Sequence, residues 1–364
     1  MESLWALGIA GDMDGAQVSL IFTNGCKIVD FGMSLYLPYS GSLRKKLFAL
    51  QRSEHLQATA PLNIRELSEE LSCWFAQASQ MVIDKVKEVP SIIGLYGQPI
   101  QVRGRAVRYV GAAEILANKL KIPTVYDFHA TDISAGGNGA FIGAPYYQGV
   151  FLAALEKKLL RNCAKIAVID ASNAAQVTIV SDEELIAFEA GPGMSLINEF
   201  TQHVFQADDT DGRMGGRGEI NCSVLNQWCR ANKTKPVPAA LCDVDKFIPY
   251  TKDCYYMTPL DGVATLTAFV SQLMENAIGE YSGAKTAILI GTSAQNSFLK
   301  SLLSRSLVVL GPKDISWNYQ FEQSEQAAYN AVRFLNAQPI SFEATTGVSL
   351  VCGRLVMPFG SAAA

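Results

Sequence analysis

No cysteine motif for metal exists in this chain of 364 residues. Its eight cysteines (Cys26, Cys73, Cys163, Cys222, Cys229, Cys242, Cys254 and Cys352) are scattered, with no CxxC pair. A chain of this size does not need disulfides, so free thiols in a reducing compartment are expected. Histidine is scarce: there are only His55, His129 and His203, and none is spaced from a cysteine as a zinc ligand would be. No run of about 18 apolar residues occurs, so no membrane span is expected. Positive charge is not in excess either. Thirty Lys and Arg against 34 Asp and Glu give a net charge of −4, which removes the electrostatic reason to expect nucleic acid or an anionic membrane as partner. The opening MESLWALGIAGDMDG has no basic stretch and meets acids at Asp12 and Asp14. No secretory signal is expected there, and a cytoplasmic location is.

What the chain does have is apolar content, 49% of its residues, with 18% charged, enough for two cores. Its length suggests two domains, with the boundary near residue 160, giving 1–160 and 161–364. Leu4–Ala10, Gln17–Phe22 and Lys27–Phe31 read as three strands. The first turn is the acid- and glycine-bearing Gly11-Asp12-Met13-Asp14-Gly15, the second the hairpin signal Asn24-Gly25. Helices are expected over 40–55 and, capped by Asn63, over 64–88, the latter with a core-facing stripe of Ile64, Leu67, Leu71, Trp74, Phe75, Val82 and Val86. A strand over 91–95 and helices over 110–120 and 148–160 follow. The three-strand pattern then restarts at 166–169, 176–180 and 185–189, ending in Ala190-Gly191-Pro192-Gly193. Residues 206–218 read as a glycine-rich loop. Thr258-Pro259 starts a helix to about 280. Strands at 286–290 and 307–310, the turn Gly291-Thr292-Ser293-Ala294, and a helix over 324–336 complete the second half.

The stretch with most chemistry is Thr124–Ala140, TVYDFHATDISAGGNGA. It reads as a strand, TVYDF, that delivers Asp127 and Asp132 into a turn with Gly136, Gly137 and Gly139. Glycines let backbone N–H groups approach a ligand, and a carboxylate fixed beside them suits a general base. An ordinary surface loop whose acids cap neighbouring elements fits the same residues.

Two halves that each open on a three-strand meander resemble the actin–hexokinase ATPase superfamily. The resemblance implies an α/β fold of duplicated ribonuclease H-like domains with the ATP cleft between them. It also implies a sugar site built on the first domain and an adenosine-binding turn in the second. Tyr126-Asp127-Phe128-His129-Ala130-Thr131-Asp132-Ile133-Ser134-Ala135-Gly136-Gly137-Asn138-Gly139-Ala140 is similar to the Ala-Asp-Phe-Arg-x-x-Asp-x-Ala-Ala-Gly-Gly-x-Gly-Ala segment of the anhydro-N-acetylmuramic acid kinases. Ala264-Thr265-Leu266-Thr267, Thr346-Gly347 and Phe188–Met194 also match motifs of that family. These are cytoplasmic kinases, usually homodimers, that use ATP and Mg²⁺ to open the 1,6-anhydro ring of an amino sugar hydrolytically and phosphorylate O6. The resemblance implies Asp132 as general base; Gly11, Asp12, Asp14, Gly15, Gly191, Gly193 and Gly291 at ATP; Asp14 at the metal; and Gln98, Asp127, Gly136 and Gly137 at the sugar. The chain departs from the family in its loops. Ala10–Gly15 is one residue shorter and lacks two hydroxyls, Tyr96 replaces a histidine, His129 replaces an arginine, and Ile290-Gly291-Thr292-Ser293 replaces Cys-Gly-Gly-Gly. Two further readings stay open: a catalytically inactive paralogue that binds a sugar or a protein, and a kinase for a different amino sugar.

Overall fold

The computed structural model describes residues 2–56, 64–101, 107–160, 163–233, 235–281 and 284–360. Asn63 lies outside these. The chain forms two compact units: residues 1–149 with 320–342 and 349–364, and residues 150–319 with 343–348.

The first unit opens on β1 (Leu4–Gly11), β2 (Gly15–Thr23) and β3 (Ile28–Pro38). It continues through α1 (Gly41–Leu56), α2 (Ile64–Ile83), β4 (Ile92–Gln101), β5 (Val107–Val110), α3 (Ala113–Leu120), β6 (Thr124–Tyr126) and α4 (Phe128–Ser134), and into α5 (Ala144–Glu156). The second unit holds β7 (Lys165–Asp170), β8 (Gln176–Ser181), β9 (Leu185–Glu189), α6 (Met194–Phe205), α7 (Cys222–Ala231), α8 (Pro249–Asp253), α9 (Pro259–Tyr281), β10 (Thr286–Ile290), α10 (Ser297–Leu303) and β11 (Val308–Leu310). The chain then adds α11 (Glu322–Leu335) and β12 (Arg354–Val356) to the first unit.

The two sheets share one topology. The first runs β3-β2-β1-β4-β6-β12, with β5 paired to β4, and the second runs β9-β8-β7-β10-β11. In each, the meander is antiparallel and its first strand pairs in parallel with a later one, β1 with β4 and β7 with β10. This is the order 3-2-1-4-5 of a ribonuclease H-like unit, present twice. Strands β1, β2, β7 and β8 are buried on both faces, which is why they read as near-continuous apolar runs rather than alternating ones. Leu7, Ile9, Val18 and Leu20 pack with Leu67, Leu71 and Phe75 of α2. Ile169, Val177, Ile179 and Phe188 pack with Ile197, Phe200, Leu266 and Phe269.

Several elements differ from the sequence expectation. Helix α2 stops at Ile83 rather than 88. Residues 107–110 are a strand, paired antiparallel to β4, that was not expected, and the helix expected over 110–120 is present from Ala113 to Leu120. Residues 206–218 form an ordered turn in which buried Asp209 accepts N–H bonds from Met214 and Gly215, both at 2.9 Å.

The largest difference is that α11 and β12 return to the first unit, so a single cut near 160 does not describe the chain. The cause is close packing. Gly8 and Gly94 leave β1 and β4 so bare that a Cβ on them would lie 1.7 Å from the Ser324 carbonyl and 1.8 Å from that of Ala327. Ala327, Ala328 and Ala331 present the small face that fits there, all fully buried. At the far end of α11, Arg333 donates to the Gly25 carbonyl at 2.6 Å and Asn336 to that of Asn24 at 2.9 Å. The helix is thereby tied to the first hairpin turn.

Gly94→Ala is expected to cost about 3 kcal/mol in urea unfolding, because backbone cannot yield as a side chain can. Gly279→Ala, in α9 with nothing within 4 Å of the added Cβ, is expected to be neutral or to stabilise by up to about 1 kcal/mol. Equal effects at the two positions would contradict this packing.

Candidate active site

The expected strand TVYDF ends early. Strand β6 stops at Tyr126, and Asp127 takes a left-handed conformation, φ 58°, that turns the chain straight into α4. Asp132 therefore sits on a short helix, not in a turn. Thr131 closes the first turn of that helix, its hydroxyl donating to the Asp127 carbonyl at 2.7 Å. Past α4 the chain doubles back, and the Gly137 and Gly139 N–H groups donate to the Asp132 carbonyl (3.0 Å) and to its Oδ2 (2.8 Å). Gly136 and Gly139 hold φ of 95° and 69°, which L side chains rarely adopt. A Cβ on Gly137 would lie 2.2 Å from Asp132 Oδ2. The glycine run is thus required by the carboxylate beneath it.

Asp132 is fully buried, and its Oδ1 has no hydrogen-bond partner among the described residues. A buried carboxylate oxygen left so costs free energy. The strap engages Oδ2 and leaves Oδ1 without a partner. The Cys352 thiol is raised above its ordinary pKa by burial and, to a lesser degree, by the Asp132 charge.

Sequence reasoning missed the polar face of α11. Residues 141–143 lie against it: Asn330 donates to the Ile142 carbonyl at 3.1 Å and to the Tyr96 hydroxyl at 2.8 Å, while Gly143 leaves room for Gln326. Tyr147 donates to Glu322 at 2.5 Å and Tyr146 to Glu325, and both acids are buried. Glu322, Gln326, Asn330 and Arg333 share one helical face. Such a polar stripe on an alanine-rich helix was the available signal.

The other expected residues of the first unit fall into two groups. Asp127 lies 3.7 Å from Arg354 and faces a pocket described below. Gln98 is fully buried, accepts from the Tyr39 hydroxyl at 3.0 Å, and packs under Gly11, whose added Cβ would lie 2.6 Å from Gln98 Oε1. It braces the first loop. Within that loop, Asp12 Oδ1 accepts from the Asp14 and Gly15 N–H groups (2.8 and 2.7 Å) and from the Tyr36 hydroxyl (2.9 Å). Asp12 shapes the turn. Burial, and then Asp12, hold the Tyr36 phenol above its usual pKa. Asp14 is exposed and pairs with Arg44 at 2.6 Å, and Lys46 pairs with Glu70 at the same distance. The basic cluster 44–46 is therefore partly an ion-pair face.

In the second unit three turns converge. Gly193, φ 59°, leads into α6, and the Met194 N–H donates to the Ala171 carbonyl at 2.8 Å. The Gly191 carbonyl accepts from the Ala175 N–H at 2.9 Å. Gly291, φ 68°, passes over the β7–β8 turn, where the Ser172 hydroxyl accepts from the Thr292 N–H at 2.8 Å and the Ser293 hydroxyl accepts from the Ala171 N–H at 3.1 Å. Ser172 and Asp170 form the hub of this set. The acid-bearing turn 170–173 is visible in the sequence, but only topology sets it against both 190–193 and 291–294.

A pocket of about 410 Å³ opens within the first unit on β4, β5 and α4, lined by Tyr96, Arg108, Tyr109, Asp127, Phe128 and His129 among others. The His129 ring stacks on Tyr109, centroids 4.3 Å apart at 20°, and Nε2 lies 3.1 Å from the Tyr109 hydroxyl. Burial lowers its pKa to about 3 and raises that of Tyr109 to about 12. Both rings are neutral at physiological pH. Among the described residues no group of three or more His, Cys, Asp or Glu could hold a metal, and no helix is long and apolar enough to cross a membrane. None of the eight cysteines is in a disulfide.

Two ribonuclease H-like units in one chain, each with glycine-bearing turns at the strand ends, define the fold of the actin–hexokinase ATPases. Within that class, the chain belongs to the anhydro-N-acetylmuramic acid kinase family, whose model matches residues 7–353. It is 28% identical over 368 residues to an anhydro-N-acetylmuramic acid kinase of Mesorhizobium japonicum, covering 95% of this chain and 97% of that protein. It is 29% identical to one from Rhodopseudomonas palustris, covering 95% and 96%. A ROK hexokinase structure from Thermus thermophilus matches with TM-score 0.43 at 10% identity, covering 91% of this chain and 99% of that one.

The His129 imidazole is expected to show no titration between pH 5 and 8 by NMR, its resonance assigned by its loss in His129→Phe. The unfolded chain takes up that proton near pH 6.5 and the folded chain only near 3. The residue therefore lowers stability as pH falls through that window, and His129→Phe removes this part of the slope. A midpoint near 6.5 in the folded protein would contradict the burial.

Proposed function

We propose that this chain is an ATP-dependent kinase that opens the 1,6-anhydro ring of anhydro-N-acetylmuramic acid with water and phosphorylates O6. The observation that carries this reading is the fully buried Asp132 with its unpartnered Oδ1 under the glycine strap, in a chain of this family. In the reaction Asp132 Oδ1 takes a proton from a water as its oxygen attacks the anomeric carbon. The bond from that carbon to O6 breaks with its electrons on O6, and O6 takes the γ-phosphoryl group of ATP as ADP leaves. The proton on Asp132 returns to solvent. Water has to reach Oδ1, which has no solvent exposure in this structure.

Backbone amides around Gly11 and Gly15 in the first unit, and around Gly191, Gly193 and Gly291 in the second, are proposed as phosphate and adenosine contacts. The glycines let amides approach closely and charge-assisted N–H bonds stabilise phosphate. Ser172 joins this set as a positioning residue. Mg²⁺ suits a site with one exposed carboxylate, because it binds through one or two carboxylates plus nucleotide phosphates and does not need a protein cage. Asp14 is the residue that would hold it, sharing its charge with Arg44. The ion would neutralise developing phosphate charge. Gly136 and Gly137 serve the sugar indirectly, by covering Asp132. A cytoplasmic setting suits eight free thiols, and a homodimer is proposed on the family likeness.

Asp132→Asn is expected to lower kcat about 10³-fold, the usual scale for losing a positioned base, with sugar affinity by calorimetry within about threefold. Normal turnover in this variant would remove Asp132 from the mechanism.

A further inference from the structure

We propose that the Asn138-Gly139 peptide is a self-modification site, at which Asp132 promotes closure of Asn138 onto the Gly139 nitrogen with loss of ammonia. The chemistry is deamidation through a cyclic imide, and water is its one co-reactant. Strap geometry carries the site; its effect on turnover rests on the kinase reading.

The sequence holds two Asn-Gly pairs, Asn24-Gly25 and Asn138-Gly139. In such a pair no side chain shields the glycine nitrogen, which is the atom that attacks the asparagine Cγ. Both asparagines are set up alike on the electrophile side. Asn24 Oδ1 accepts from the Cys26 and Lys27 N–H groups at 2.9 and 3.0 Å, and Asn138 Oδ1 accepts from the Ala140 N–H at 2.8 Å. Each is an Asx turn, which folds the side-chain amide back over the glycine peptide. An N–H group on Oδ1 also stabilises the negative charge that forms there as the nitrogen attacks.

The two pairs differ at the nitrogen. The Gly25 N–H donates to Thr23 Oγ1 at 3.0 Å, a hydroxyl that itself donates to the Lys27 carbonyl at 2.6 Å. A neutral hydroxyl is a poor base. The Gly139 N–H donates to Asp132 Oδ2 at 2.8 Å. This acceptor is a carboxylate, fully buried, whose other oxygen has no partner among the described residues. Of the two pairs, Asn138-Gly139 alone brings a polarised carbonyl, an unshielded nitrogen and a base into one turn.

In the reaction Asp132 Oδ2 takes the Gly139 N–H proton as the nitrogen bonds to Asn138 Cγ. The Cγ–Nδ2 bond then breaks, and Nδ2 leaves as ammonia with that proton. Water opens the ring at either carbonyl, giving aspartate or isoaspartate at position 138. The imide nitrogen carries no hydrogen, so Asp132 Oδ2 loses the bond that the strap supplies. Opening to aspartate adds a negative charge to the strap, and opening to isoaspartate adds a backbone atom. Each product disturbs the segment that covers Asp132, so the strap limits the working life of the carboxylate beneath it.

The test is timed peptide mass mapping of the full chain at neutral pH, counting aspartate and isoaspartate at 24 and 138. Asn138 is expected to convert at least about tenfold faster than Asn24 in the folded chain, and within about threefold of it in urea and in Asp132→Asn. Should Asp132→Asn unfold, the folded and urea-unfolded wild-type chains still decide. Conversion at 138 no faster than at 24 in the folded chain, or an excess that survives in urea or in folded Asp132→Asn, overturns the site. Sugar-dependent ADP formation is expected to fall in step with conversion at 138, and more slowly in Asn138→Gln. Activity loss unrelated to conversion at 138 overturns the effect on the strap. Fast, Asp132-dependent conversion in a chain with no sugar-dependent ADP formation at any age overturns the kinase reading and leaves the site standing.

Discussion

A carboxylate with no solvent exposure and, among the described residues, a single side-chain hydrogen bond has to be held by its surroundings, and at Asp132 that bond comes from backbone. The Gly139 N–H supplies the one bond, and Gly137 lies where any side chain would collide with the acid. That constraint reaches outward. It demands glycine in the strap, a helix short enough for the chain to double back, and a left-handed residue at Asp127 to begin that helix abruptly after β6. The cost of the unpartnered oxygen is tolerated because the rest of the first unit over-determines the segment.

The second constraint is the bed on which that segment lies. Helix α11 approaches β1 and β4 through Gly8 and Gly94 and turns its polar stripe toward residues 141–147. One helix thus does two things with two faces. Its alanines close the sheet, and its Glu322, Glu325, Gln326 and Asn330 brace the loop that follows the glycine strap. The same Asn330 donates to Tyr96 in the pocket wall, so the helix bed and the pocket share a residue. Both units place glycine-bearing turns at strand ends over a sheet that supplies the frame.

Most of the fold was legible because its signals are local. Apolar runs broken by acid–glycine turns mark both meanders, and their repetition marks the duplication. Long periodic helices such as α9 were legible to within a residue or two. What failed was decided at long range. Residues 107–110 form a strand because β4 offers an edge, which no window of sequence contains. Helix α4 follows β6 with no loop, because Asp127 takes a left-handed conformation, which aspartate adopts more readily than most residues but which the apolar run TVYDF did not mark. The return of α11 depends on two glycines more than 200 residues upstream. Within the site, Asp132 and its glycines were visible as a motif. Gln98 and Asp12 were visible as well, but their side chains are spent on bracing Gly11 and shaping the first turn. Glu322, Ser172 and the Tyr109–His129 stack emerged only from topology.

The central claim is that one buried carboxylate activates water against an anhydro sugar while O6, not water, receives the phosphoryl group. It is tested most directly by a rapid-quench turnover in ¹⁸O-labelled water with ATP and 1,6-anhydro-N-acetylmuramic acid. The account predicts one label in the product, on the anomeric oxygen, and none in the phosphoryl group. Label in released phosphate, or a 6-phosphate formed without label at the anomeric carbon, would contradict it.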